Sequence, residues 1–294
     1  KQHIFRELPS ILRDNNHNLD IIYKKREIID VCSPGEGGIY SVGVDIGTTT
    51  VAMTLIDMEK GRHIHTASSK NPQEPFGGDV ISRVEYCSKN LGNLVELSIL
   101  IRECINKMIG ELCEESDIQR EEIYDVVLVG NTVMNHIFLG ADPTYIAQAP
   151  YVPALKQGVS GTGSVYGIDI NPGGEIFTAP NIAGFVGGDT VACILDGGMM
   201  ESVEPLLMVD IGTNGEVALS TSGHIYACST AAGPAFEGVN LKHGMRAGKG
   251  AIERFEITDG EVSISTIGGI SAVGICGSGI IDIAAELVDK GIID

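Results

Sequence analysis

One duplication limits the fold more than any other feature of the sequence. Val42-Gly43-Val44-Asp45-Ile46-Gly47-Thr48-Thr49 returns as Leu207-Met208-Val209-Asp210-Ile211-Gly212-Thr213-Asn214, 165 residues later. Each copy is an apolar strand ending in Asp-Ile-Gly-Thr. Two further strand-like runs follow each time, at 51–57 and 62–68 in the first copy and 216–220 and 224–229 in the second. Alternating apolar runs broken by Gly-containing turns predict antiparallel meanders. A repeat this long predicts two similar lobes, with Asp45 and Asp210 facing one another across a shared site.

The rest of the pattern is α/β. Residues 79–89 and 94–113 have helical spacing, with Leu97, Leu100, Ile101, Cys104, Ile105, Met108 and Leu112 on one face. A buried strand is predicted at 126–129, a helix at 132–139 and another at 184–195. Residues 142–180 are rich in Gly and Pro and predict an irregular excursion. Residues 1–38 predict a strand pair too small for its own core, read as the tail of a preceding domain. The expected domains are therefore 1–38, a first lobe at 39–203 and an incomplete second lobe at 204–294.

With 294 residues, 43% of them hydrophobic, the chain can build a real core. Its formal net charge of −19 argues against nucleic acid, whose affinity comes largely from Lys and Arg on phosphates. No apolar run approaches the length of a membrane span. Seven widely spaced cysteines, with no Cys-x-x-Cys, predict buried thiols in a reduced, cytoplasmic protein. An acidic chain that binds nucleotide must do so with backbone N–H groups, a metal and a few local cations.

The repeated turns supply those parts. Gly47 lets the backbone approach an anion closely, and Thr48, Thr49 and Thr50 offer hydroxyl and N–H donors. Asp45 at the strand end is a candidate Mg²⁺ ligand, since Mg²⁺ prefers oxygen donors and keeps several waters. Asp210, Gly212, Thr213, Asn214 and Gly215 repeat the set. No Walker A loop is present. Gly130, Asn131 and Thr132 open a helix after a buried strand, where anions are well received, or serve as ordinary capping. Asp189, after Gly187-Gly188 at a helix start, is a candidate to orient water, or a cap. Glu216 and Glu237 are further candidates to reach metal or water, or solvated carboxylates. Gly277-Ser278-Gly279 either touches nucleotide or starts a helix tightly. Asp79 is a first-turn carboxylate. Lys242, His243, Arg246 and Lys249 form a basic patch. His63 and His65 share a strand face without further ligands, and His136 is read as packed.

Several stretches together resemble one family. They are Phe5-Arg6-Glu7-Leu8-Pro9-Ser10, the turn at Asp45, Asn71-Pro72-Gln73 and Gly78-Asp79-Val80-Ile81-Ser82-Arg83. Val129-Gly130-Asn131-Thr132, Val186-Gly187-Gly188-Asp189 and Ala232-Gly233-Pro234-Ala235-Phe236-Glu237 belong with them, as does Gly277-Ser278-Gly279. The family is the reductive activators of corrinoid proteins, within the acetate and sugar kinase, heat-shock chaperone and actin superfamily. The resemblance implies an actin-like ATPase with two ribonuclease-H-like lobes and mixed sheets. It implies ATP and Mg²⁺ as ligands, with Asp45, Asp210, Asp189, Glu216 and Glu237 at the catalytic centre and Gly233 beside the nucleotide. It implies an N-terminal [2Fe–2S] ferredoxin domain before Lys1, an electron donor acting through it, and a homodimer. The implied partner is a corrinoid protein of a methyltransferase system, returned from Co(II) to Co(I). A small-molecule kinase of the same superfamily and a chaperone-like binding module are the alternatives.

Overall fold

The computed structural model describes residues 2–212, 215–230, 241–245, 247–258 and 260–293. They divide into two compact units. The first holds residues 1–210 and 216–229, the second 211–215 and 230–294.

The first unit is built on a six-stranded sheet of order β5-β4-β3-β6-β8-β7. Its strands are β3 (Tyr40–Ile46), β4 (Thr50–Asp57), β5 (Arg62–Lys70), β6 (Ile123–Gly130), β7 (Val159–Thr162) and β8 (Glu175–Thr178). The meander β3-β4-β5 is antiparallel, β6 lies parallel to β3, and β8 parallel to β6. Without β7 this is the meander-plus-two-parallel-strands order of a ribonuclease-H-like lobe. Val42, Val44, Ile46, Val51, Met53 and Leu55 fill one face because side chains two apart share a face. Against them pack α2 (Val80–Lys89) and α3 (Leu91–Ser116). Leu94, Leu97, Ile101, Ile105, Met108 and Leu112 give α3 its buried stripe. Asn90 caps its start through Asn93 N–H, and Asp117, at φ 53°, ends it in the left-handed region.

Three sequence expectations need correction here. Residues 2–14 form a helix, α1 (Gln2–Asp14), around an internal Pro9, where the sequence suggested no element. The excursion at 142–180 contributes β7, the short helix α5 (Gly163–Tyr166) and β8 to the main sheet. Strands of four residues between Gly and Pro carry too little periodicity to be read locally. The helix expected from 184 is α6 (Gly188–Asp196), preceded by a bridge between Ala183 and Val186. By contrast α4 (Thr132–Leu139) has its expected bounds.

The strand pair in 1–38 is β1 (Asp20–Lys24) with β2 (Glu27–Cys32), antiparallel. Far from standing apart, it is tied to the main sheet. Asp30 accepts from Tyr124 Oη at 2.8 Å and Asn171 Nδ2 at 2.7 Å, and Lys24 pairs with Asp125 at 3.0 Å. The compact units also divide elsewhere than at 203/204. The sheet of β9 (Leu206–Ile211), β10 (Gly215–Thr221) and β11 (His224–Thr230) packs Met208, Ala218, Ile225 and Ala227 on Ile194 and Met199.

In the second unit β12 (Ala251–Thr258) pairs antiparallel with β13 (Glu261–Thr266) and parallel with β14 (Gly274–Ile275). The helix α7 (Gly277–Asp289) lies on β12. A Cβ on Gly279 would stand 2.2 Å from Ile252 O, so the tight start of α7 needs glycine there. All seven cysteines are free. Cys87, Cys113 and Cys276 are buried, but Cys193 and Cys228 are exposed, against the expectation of buried thiols. Among the described residues no helix is long and apolar enough to cross a membrane.

Candidate functional site

The site forms where β3 and β6 end side by side. Their parallel register sets Ile46 beside Gly130, so the turn after β3 and the start of α4 emerge together. This approach excludes side chains. A Cβ on Gly130 would lie 2.8 Å from Ile46 O, and one on Gly187 would lie 2.5 Å from Gly130 O. Gly187 thereby lets α6 begin against the β6–α4 junction, which carries Asp189 in its first turn. A Cβ on Gly47 would lie 2.5 Å from Thr50 O, so the turn itself is too tight for any other residue.

The turn is held from behind by its carbonyls. Gly47 O accepts from Asn71 Nδ2 at 2.8 Å, Thr49 O accepts from Asn71 N–H at 2.8 Å, and Thr48 O accepts from Arg83 Nη2. In a planar trans peptide the N–H lies opposite the C=O. The N–H groups of Thr48, Thr49 and Thr50 therefore point away from Asn71 and Arg83. Asn131 caps α4 through Met134 N–H at 3.0 Å, and its Nδ2 reaches Thr48 Oγ1 at 3.1 Å. Thr132 departs from expectation. It is fully buried and donates its hydroxyl to Ala183 O at 2.6 Å, so that hydroxyl anchors the loop before α6.

Four of the five catalytic candidates come together electrostatically. Burial pushes the Asp45 carboxyl up to about 6, helped by the charges of Asp189 and then Asp210. Asp45 still touches water at its surface, while the protein around it removes much of the outer hydration. Burial also raises Asp189, with Asp210 adding to it and the Thr190 N–H opposing at 2.7 Å. Glu216 is raised by burial, Asp189 and Asp210, against a hydrogen bond from Ser229. Carboxylates whose negative charges act on one place favour a cation there. Among the described residues, however, no three His, Cys, Asp or Glu side chains converge closely enough to ligate a metal directly. A divalent ion suited to this set is one that keeps most of its own water.

Other candidates fall elsewhere. Thr213, Asn214, Gly233, Glu237 and Arg246 lie outside the described residues. Gly212 is exposed, and Gly215 is buried at the start of β10. Gly277, Ser278 and Gly279 open α7 in the second unit. Lys242, His243 and Lys249 are exposed. Asp79 is the N-cap of α2 in a reciprocal pair with Ser82, and not a first-turn residue. His136 is packed as expected, with Nδ1 at 2.7 Å from Thr132 O and Nε2 accepting from Leu155 N–H at 3.1 Å. His65 pairs with Glu115 and not with His63.

Sequence reasoning missed Asn71, Gln73 and Arg83 as parts of the site. For Arg83 a signal existed. The buried positions of α2 are Val80, Arg83, Val84 and Cys87, so a cation stands on the apolar face of an amphipathic helix.

A ribonuclease-H-like sheet with a glycine turn and carboxylates at its strand ends defines an actin-like ATPase fold. A family model described as the C-terminal domain of RACo, the ASKHA domain, matches residues 204–294. One described as the RACo middle region matches residues 40–202. The chain belongs to the RACo family. It is 38% identical over 277 residues to the corrinoid activation enzyme RamQ of Eubacterium limosum, covering 94% of this chain and 46% of that protein. It is 28% identical to the [Co(II) methylated amine-specific corrinoid protein] reductase of Methanosarcina barkeri, covering 87% of this chain and 52% of that one. Among solved structures, a reductive activator for corrinoid, iron–sulfur protein superposes with a TM-score of 0.82 at 40% identity. That match covers 99% of this chain and 48% of the other. The chain thus spans about half the length of these relatives.

Proposed function

We propose that this chain is the nucleotide-dependent core of a protein that reductively activates a corrinoid partner, returning Co(II) to Co(I) for methyl transfer. The observation that carries the reading is the turn at 47–50, its carbonyls held inward and its N–H groups outward, beside Asp45, Asp189, Asp210 and Glu216. Membership of the RACo family supports activation over the small-molecule kinase and chaperone-like alternatives. The lobes are proposed as 39–203 and 204–294, preceded by the segment 1–38.

The residues fit Mg-ATP. Thr48, Thr49 and Thr50 N–H groups would hold phosphate oxygens, and Asp45 and Asp210 would hold Mg²⁺. Bound Mg-ATP supplies the free energy of phosphoanhydride cleavage. Asp189 has Oδ1 tied to Thr190 N–H, leaving Oδ2 to orient a water and take its proton. Burial raises its affinity for protons, the direction a general base needs. Glu216 supports the same water from β10.

Reduction of Co(II) adds one electron, which reaches the cobalt from an iron–sulfur donor domain outside this chain. Each roughly 60 mV of unfavourable potential costs about 1.4 kcal/mol. Nucleotide can offset it only by binding two states of the protein with different affinity. A [2Fe–2S] donor domain, a homodimer and a cytoplasmic location belong to the same reading.

The test follows the visible spectrum of the corrinoid partner in the presence of the full-length protein and an electron donor. Co(I) should form with Mg-ATP and not without it. No ATP-dependent Co(I), together with phosphorylation of a small acceptor, would overturn the reading.

A further inference from the structure

Arg83 is among the largest fully buried side chains of the protein. Its hydrogen bonds to oxygen all go to neutral acceptors. Nε donates to Gly77 O at 3.0 Å, Nη1 to Gln73 Oε1 at 3.1 Å, and Nη2 to Thr48 O. Gln73, itself fully buried, passes the contact on by donating Nε2 to Leu97 O of α3 at 3.0 Å. The guanidinium therefore ties the turn at 47–50 to the start of α2 and, through Gln73, to the second turn of α3.

Among the described residues no carboxylate is hydrogen-bonded to it, and a buried cation so placed is costly unless its charge is used. Filling the volume alone needs only Met or Leu. Burial brings the guanidinium down to about 10, so it stays charged at neutral pH. The charges of Glu74 and Asp79 favour the cation. Its charge stands behind the Thr48 carbonyl, and the N–H groups of the turn face the other way. A rigid fork of donors fixes direction better than the flexible stem of a lysine.

We propose that Arg83 is a positioning residue for the phosphate turn. It holds the Thr48 carbonyl inward, so that the N–H groups of Thr48, Thr49 and Thr50 stay aimed at an anion, and its buried charge adds to their pull on polyphosphate. This rests on the reading of that turn as a nucleotide site. It differs from a packing role in one respect: losing Arg83 should weaken binding in proportion to the phosphates present.

The test uses Arg83→Lys and Arg83→Met in the full-length protein, with two readouts. In the first, calorimetry measures affinity for Mg-ATP, Mg-ADP and adenosine. Mg-ATP affinity should fall about 10-fold in Arg83→Lys and about 10²-fold in Arg83→Met, Mg-ADP affinity less, and adenosine affinity not at all. The second needs no ligand. With ¹⁵N-threonine labelling in deuterated protein, order parameters of Thr48, Thr49 and Thr50 should fall from about 0.85 to below about 0.6 in Arg83→Met. Folded variants with unchanged order parameters, and equal losses for Mg-ATP and adenosine, would overturn the proposal. If the wild type binds no Mg-ATP, the nucleotide reading fails. The order parameters then decide alone whether Arg83 sets the turn. If Arg83→Met does not fold, Arg83→Lys decides by the same two readouts.

Discussion

Ile46 and Ile211 hold the same place in two copies of one motif, yet Ile46 is fully enclosed and Ile211 is 87% exposed. Their neighbours follow suit. Val44 is buried and its counterpart Val209 is half-exposed; Val42 is buried and Leu207 is exposed. The motif encodes two successive strands in both places, β3 with β4 and β9 with β10. It does not encode what lies on the strand. In the first copy α2 and α3 cover the face that carries Val42, Val44 and Ile46. In the second, the described contacts of β9 run through Met208 to Ile194 and Met199, on the opposite face.

The largest expected effect tests that contrast directly. Ile46→Ala should cost about 2–5 kcal/mol in urea unfolding, from lost transfer energy and the cavity left behind. Ile211→Ala should stay within about 0.5 kcal/mol. Equal costs would mean that the face of β9 is covered in solution, and the contrast would collapse.

Next come the two aspartates, which the electrostatics treats as members of one site. Asp45→Asn and Asp210→Asn should each lower Mg-ATP turnover by about 10²-fold or more. A loss confined to Asp45→Asn would leave the second copy as a structural duplicate without a chemical share.

A smaller effect concerns stability. Asp45 binds its proton more tightly in the folded state than the ordinary carboxyl at 3.8, being pushed up to about 6. Its stabilising share is thus full below about pH 4 and lost as pH rises through about 6. Without nucleotide or divalent ion, Asp45→Asn should melt above the wild type at pH 7.5, by on the order of 1–3 °C. At pH 4 the two melting points should coincide. A variant less stable at pH 7.5 would show that Asp45 is compensated by a charge the site does not display.

The smallest effect is the baseline. His65 and Glu115 make an exposed pair, 42% and 58% accessible, and His65→Ala should change stability by less than about 0.5 kcal/mol. Its turnover should be that of the wild type.

Much of this was legible in the residues. The meander 40–70, the helix Thr132–Leu139 and the repeat of Asp45 at Asp210 all follow from patterns within a few residues. Alternation sets a strand, a 3.6-residue period sets a helix, and Gly with Thr sets a tight turn; each depends only on near neighbours in the chain. The strands β7 and β8 were hidden, because four residues give no period and their partners, each other and β6, had to be found in space. Thr132 opens a helix where either anion binding or capping was expected, and no local pattern showed that its hydroxyl meets Ala183, 51 residues away. Nothing local in the sequence fixes the acceptor of Arg83, a carbonyl 35 residues back in the chain. The sequence by itself determined the strands of both copies and the turn between β3 and β4. Tertiary structure alone decided how the turn at 47–50 is braced, which strand is covered and which carboxylates share a field. Burial and electrostatic coupling depend on segments far apart in the chain, and no local pattern records them.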